Sequence, residues 1–271
     1  MRRRERGRHP APARVWGAVG SQDAAETTRN GRSTGRRGLD SPVVASSLTV
    51  ASGLCVAHLF WHVGGDTDRD AAVEAIEKAG AEGDQVVCVA IVGHKADVCT
   101  MILSADLWRI RDLQSRLRDA GLSLESSYFS ITEVSEYAAG VPEELKQARL
   151  YPRLPPAGLP AWCFYPMSKR RNPGQNWYRL PYEERERMMY EHGATGRKFK
   201  GRVLQLVTGS TGVDDWEWGV TLFAKTPDDL KAVVYTMRFD EVSAEYAEFG
   251  PFWTGAVAEP TEVFDRVLPG R

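Results

Sequence analysis

Two residues that together support one-electron chemistry, Tyr165 and His192, stand 27 positions apart in this chain. Tyr165 opens the run Tyr165-Pro166-Met167-Ser168-Lys169-Arg170-Arg171, which places a phenol, a thioether and a basic cluster on one segment. His192 lies in Glu191-His192-Gly193 and is the only histidine in the second half of the chain. An imidazole can ligate a haem-type iron, and a tyrosine at the edge of such a group can be oxidised to a phenoxyl radical. The glycine after the histidine lets a flat macrocycle approach the backbone. Each residue also has a plainer reading. A histidine before glycine suits a helix C-terminus, where the dipole favours a cation. A tyrosine ending a strand is commonly a packing residue with its hydroxyl in water. Met167 reads as a flexible gap-filler. Lys169, Arg170, Arg171, Arg179 and Arg238 read either as solvated surface or as partners for a substrate bearing several carboxylates.

Other constellations carry less. Thr208-Gly209-Ser210-Thr211-Gly212 lacks the spacing and lysine of a phosphate loop and enters a strand, so it reads as a tight connection. Asp214, Asp215 and Glu217 have metal-ligand chemistry without the pattern of a calcium loop, and a structural role is expected of them. No GxSxG, HExxH or Walker motif occurs, and no histidine neighbours a cysteine, which leaves hydrolase chemistry unsupported.

These residues need a framework, and the chain is long enough for one. Its 271 residues, 42% hydrophobic and 26% charged, have ordinary globular composition. The formal net charge of −1 is uneven: residues 1–40 hold ten arginines against four acids, so the remainder carries −7. A mildly acidic body is a poor match for nucleic acid. Four cysteines, Cys55, Cys88, Cys99 and Cys163, form no CxxC pair and are expected to be free thiols in a cytoplasmic protein. No run of about 18 apolar residues exists, so no membrane span is expected. Residues 1–48, rich in Arg, Gly, Ser and Ala, read as a disordered basic tail. Arg36-Arg37 before a mildly apolar stretch imitates a twin-arginine export signal, but cleavage there would remove the first strand of the domain.

The elements fall into two matching series. In the first, strands are expected over 54–63, 85–94, 97–103 and 124–132, with helices over 67–79 and 106–120. After a proline-rich linker over 142–160, the second half reads as strands over 161–165, 202–208, 217–224 and 250–257. Its helices fall over 181–192, closed by Gly193, and 227–236, with a loop from Arg238 leading to 243–248. Strand-helix-strand-strand-helix-strand, twice, is the ferredoxin-like pattern. The expected fold class is α+β, a dimeric α+β barrel of two ferredoxin-like repeats, 49–141 and 161–271.

Several long motifs then coincide with a known family. The Tyr165–Arg171 run, Asn176-Trp177, Leu180-Pro181-Tyr182-Glu183, Glu191-His192-Gly193, Gly209–Gly212, Asp214–Phe223 and Met237-Arg238-Phe239-Asp240 resemble the coproheme decarboxylases. These are the peroxide-dependent haem synthases among chlorite dismutase-like proteins. The resemblance is dense from 161 to 255 and looser earlier, at His94–Asp97 and Tyr128–Tyr137. It implies a homopentamer that binds coproheme (iron-coproporphyrin III) in the C-terminal half. With hydrogen peroxide the family converts two propionates to vinyls, giving haem b, and contact with a coproporphyrin ferrochelatase is implied. His192 matches the proximal iron ligand, Tyr165 the radical-forming tyrosine and Lys169 a lysine near the reacting propionate. Met167, Arg238 and Ser243 match pocket or propionate-binding positions. Gln205 stands where chlorite-degrading relatives carry a distal arginine, which disfavours chlorite chemistry. No histidine lies between His94 and His192, so a distal histidine base for peroxide has no counterpart on that stretch. The rival readings are a chlorite dismutase or dye-decolourising peroxidase, and a haem carrier without catalysis.

Overall fold

The computed structural model describes residues 47–268. The tail read over 1–48 therefore lies outside the described residues, apart from its last two positions. The first half contains β1 (Cys55–His62), α1 (Arg69–Ala81), β2 (Gln85–Ile91), β3 (Val98–Ser104), α2 (Leu107–Asp119) and β4 (Ser123–Thr132). Asp68 and Asp106 start the two helices by accepting hydrogen bonds from the Ala71 and Trp108 amides. Ala72, Val73, Ile76 and Ala79 of α1 and Ile110, Leu113 and Leu117 of α2 supply the buried stripes. The stretch expected to be plain linker holds a helix, α3 (Glu143–Leu150). The second half contains β5 (Ala161–Lys169), a small hairpin of β6 (Arg171–Asn172) and β7 (Gln175–Asn176), α4 (Tyr182–Arg197), β8 (Val203–Gly209) and β9 (Trp218–Ala224). It ends with α5 (Pro227–Met237), α6 (Glu241–Tyr246), β10 (Ala247–Phe249), β11 (Trp253–Val257) and α7 (Pro260–Val267).

Pairing gives the order β10-β5-β11-β2-β3-β1-β4-β8-β9, and β9 pairs again with β5, so the sheet closes into a barrel. Within the first half the order is β2-β3-β1-β4, and within the second β8-β9-β5-β11, the same antiparallel arrangement. The halves join at two seams, β11 on β2 (Gly255 opposite Ile91) and β4 on β8 (Ile131 opposite Gly209). β10 and β11 lie along one edge of β5 on either side of a break at residues 250–252. Pro166, which has no N–H to donate, faces that break: its carbonyl accepts from the Gly250 amide at 2.8 Å. This is why β5 runs past Tyr165, where the expected strand stopped, as far as Lys169.

Side-chain alternation divides the core. Val56, Phe60, Met101, Trp162, Phe164 and Phe223 point into the barrel. Ala57, Leu59 and Ile102 point outward beneath α1, α2 and α7. Cys163, Tyr165, Val220 and Leu222 point outward toward α5. All four cysteines are free and buried. His58 is wholly enclosed in the barrel, with Nε2 2.9 Å from the Thr221 hydroxyl and its ring stacked on Phe164 at 4.0 Å. No helix among the described residues is long and apolar enough to cross a membrane.

Three further elements depart from the sequence expectations. α4 continues through Gly193 to Arg197, because Gly193 does not adopt the left-handed backbone that ends a helix. The loop from Arg238 is shorter than expected, because α6 begins at Glu241. α7, absent from the sequence reading, carries Pro260 in its first turn and buries Val263 and Phe264.

This packing makes two aspects of stability measurable. A Cβ at Gly255 would lie 2.3 Å from the Ala90 carbonyl oxygen at the seam. Gly255→Ala should therefore lower unfolding free energy by about 1–3 kcal/mol in denaturant titration. Burial pushes the His58 imidazole down to about 3, whereas an unfolded histidine titrates near 6.5. On acidification between those values the unfolded chain takes up a proton that the native ring refuses, so stability falls as pH falls. This loss should reach roughly 4 kcal/mol toward the lower end. Chemical denaturation across that range should show a shallower acid limb for His58→Phe.

Candidate active site

The outward face of β5 carries three of the residues expected to do chemistry. Strand alternation puts Tyr165, Met167 and Lys169 side by side on it, while Trp162 and Phe164 fill the barrel behind. Together with His192, Gln205, Arg238 and Ser243 they line one cavity between β5, β8, α4, α5 and α6. All seven residues that the resemblance matched to site positions thus line this cavity, whereas Arg170, Arg171 and Arg179, also read as carboxylate partners, do not. A separate apolar groove between α2 and the outer faces of β1 and β4 has Arg111 as its single ionisable lining group apart from the Tyr128 phenol.

Tyr165 is 7% exposed, its ring stacked on Phe252 at 4.4 Å and meeting Phe249 edge-on at 5.6 Å. Burial raises the phenol well above its ordinary range, with Cys163 adding to the effect, so the hydroxyl stays protonated. Lys169 is 9% exposed and its Nζ sits 4.7 Å over the Trp177 ring. Burial pushes the ammonium down to about 8, against an opposing pull from Glu217. Glu217 is itself enclosed; it accepts the Lys169 backbone N–H at 2.8 Å and pairs with Arg171.

His192 projects from α4, its Nδ1 3.0 Å from Asp240 Oδ2. Thr195, nearly one turn further along α4, donates to the other Asp240 oxygen at 2.9 Å. Burial lowers the imidazole pKa first, the Lys169 charge adds to this, and Asp240 opposes both. The ring is therefore neutral near pH 7. With Nδ1–H donating to the carboxylate, the Nε2 lone pair is left free to bind a metal, the arrangement that orients metal-ligating histidines. Continued helix through Gly193 and Gly196 brings α4 close to α5, since a Cβ on Gly196 would lie 3.6 Å from Met237 Cε.

Gln205 lies on the outer face of β8, paired across to Leu222 of β9. Arg238 caps α5, its guanidinium resting over Tyr235 at 4.6 Å and Phe239 at 5.5 Å. Ser243 faces the cavity from α6. Sequence reasoning missed Asp240 and Trp177 as members of this group. Both stand in motifs quoted above, yet nothing local shows that Asp240 meets His192 across 48 residues. Asp214 and Glu217 serve the scaffold, Asp214 accepting the Phe129 amide at 2.8 Å.

Among the described residues no three His, Cys, Asp or Glu side chains converge to hold a bare ion. A single neutral imidazole beside an apolar and cationic cavity instead suits a metal that brings its own equatorial ligands, as an iron porphyrin does.

Comparison with known proteins agrees. The family model for chlorite dismutase matches residues 68–258. Coproheme decarboxylase from Staphylococcus carnosus (strain TM300) is 45% identical over 189 residues, spanning 65% of this chain and 75% of that protein. A haem-binding protein of Thermus thermophilus superposes with a TM-score of 0.71 at 34% identity, covering 82% of this chain and 97% of that one. Chlorite dismutase from Candidatus Nitrospira defluvii, in complex with imidazole, superposes with a TM-score of 0.64 at 18% identity over 80% of this chain and 96% of that one, a likeness of fold alone. Closed double-ferredoxin barrel, convergent pocket and family match together place this chain in the chlorite dismutase family.

Proposed function

We propose that the protein is a coproheme decarboxylase, converting two propionates of iron-coproporphyrin III to vinyls with hydrogen peroxide and so producing haem b. The observation that carries this reading is the convergence, on one cavity, of a protonated tyrosine, a buried lysine and a neutral, carboxylate-tethered histidine. The relative from Staphylococcus carnosus, which bears that activity in its name, supports it. The porphyrin is here the substrate, and its iron binds His192 Nε2.

The roles follow from the chemistry of each group. Each turnover removes one hydrogen and a carboxylate from a propionate and passes two electrons to peroxide; the products are a vinyl, carbon dioxide, water and hydroxide. The Tyr165 phenol, held protonated by burial, loses an electron and its proton together and then abstracts the propionate β-hydrogen, which restores it. Lys169 pairs with the reacting carboxylate, whose charge offsets the cost of burying the ammonium. Arg238 and Ser243 anchor the remaining propionates, Met167 lines the pocket, and Gln205 supplies a neutral amide on the peroxide side. The same reading makes the protein a cytoplasmic homopentamer that receives its porphyrin through transient contact with a coproporphyrin ferrochelatase.

Peroxide titration of the coproheme-loaded protein tests the reaction. Haem b and two carbon dioxide per porphyrin are expected; an unaltered or bleached porphyrin would return the reading to a haem carrier or a peroxidase. Tyr165→Phe should bind coproheme with the parent's Soret spectrum while turnover drops at least about a thousandfold, as loss of a central catalytic group does. A variant that still produces haem b would remove the radical role. In the porphyrin-free protein, Asp240→Asn should shift the His192 pKa further down, because the carboxylate that favours the imidazolium is gone. NMR titration of the ring protons reads this directly, and an unchanged or raised value contradicts it.

A further inference from the structure

Lys169 stands in a wall between two cavities. One is the porphyrin cavity; the other is an outer polar cavity lined by Lys169, Arg171, Asp214, Asp215, Glu217 and Glu248. Four carboxylates on the outer side would draw an ammonium away from the chemistry, and a lysine stem is long enough to follow. Yet among the described residues no carboxylate lies within ion-pair distance of Nζ. Glu217, whose charge acts on the ammonium, is already engaged by Arg171 and by the Lys169 backbone N–H. The contact that the ammonium does make is with the face of Trp177, at 4.7 Å.

Trp177 is built as a fixed platform. It is 2% exposed and packs with Met188 of α4 and with Val242 and Tyr246 of α6, its ring 5.5 Å from that of Tyr246. Its backbone N–H donates to the Arg170 carbonyl at 3.0 Å, which ties it to the end of β5. The Asn176 side chain accepts the next amide, from Tyr178, at 3.1 Å. A ring so buried and tied through its backbone is held in place, and a cation is attracted to its face more strongly when water is excluded.

We infer that Trp177 is a positioning residue for Lys169, its ring face holding the ammonium on the porphyrin side of β5 against the pull of the acidic outer cavity. This rests on the decarboxylase reading for its catalytic consequence, though not for the placement itself. Placement is read by NMR of the lysine side chains in the porphyrin-free protein. The Lys169 ε-methylene protons should be shifted upfield by the indole ring current, and Trp177→Leu should abolish that shift. Catalytic weight is read on the coproheme-loaded protein with peroxide. Trp177→Leu should retain coproheme affinity within about threefold but lose at least about tenfold in haem b formed per unit time. Trp177→Phe, which keeps a ring face, should retain most of the rate.

Should the leucine variant fail to fold, tryptophan with successive ring fluorines introduced at position 177 keeps the shape while weakening the face. The rate should then fall stepwise with fluorine count. An unshifted Lys169 resonance in the parent protein overturns the inference whatever the turnover. So does a rate indifferent to both leucine and fluorination in an enzyme whose parent is active. A parent that binds coproheme and makes no haem b overturns the decarboxylase reading instead, and the resonance shift still decides where Lys169 is held.

Discussion

The side-chain alternation of β5 is the constraint on which the remainder of the molecule depends. Its even positions, Trp162 and Phe164, are core of the closed barrel, and its odd positions, Tyr165, Met167 and Lys169, are the floor of the site. A slip of one residue would drive an ammonium into the barrel and leave two aromatic rings in the cavity. Register is fixed from both sides, by seven paired positions on β9 and by β11 and β10 on the other edge. Barrel closure and active-site assembly are consequently one event.

The same alternation explains why the candidate site forms on only one of two similar halves. On β1, the counterpart of β5, the outward positions Cys55, Ala57, Leu59 and Trp61 are all apolar. They are covered by α1 and α2, and α7 adds Val263 and Phe264 to the same cluster. In the second half α6 and the segment around Trp177 pack against α4 as a separate small cluster, standing off from β5 and leaving the cavity between them. The C-terminal helix thus adds to the cover of the first half, where the groove left beside α2 is apolar, while the gap in the second half is lined by titratable groups.

Much of this was legible in the chain. Strand and helix periods, Asp or Thr at helix starts and a repeated order of elements were enough to read a double ferredoxin-like barrel. The members of the site on β5 were legible through the resemblance of the Tyr165–Arg171 run to a known family, although the strand expected there stopped at Tyr165 and so hid the alternation that places Met167 and Lys169 beside it. Asp240 and Trp177 were not, since their significance arises from packing across tens of residues that no local pattern encodes. α4 misled because glycine permits a helix end without requiring one, and Gly193 keeps right-handed backbone. α6 has six residues and α7 eight, too few for a period to declare itself against the surrounding sequence.

The two seams have a consequence for how such a molecule can come apart. Strand β2 at one rim of the first half and β4 at the other are completed only by β11 and β8 of the second. Neither half on its own satisfies its outer strands, and each would expose two adhesive edges. Nothing in that pairing depends on the covalent join between the halves, because complementary edges recognise one another whether or not a chain connects them. The ring is in this sense a dimer written in a single polypeptide, and the intervening segment sets the local concentration of the two pieces rather than their mode of recognition.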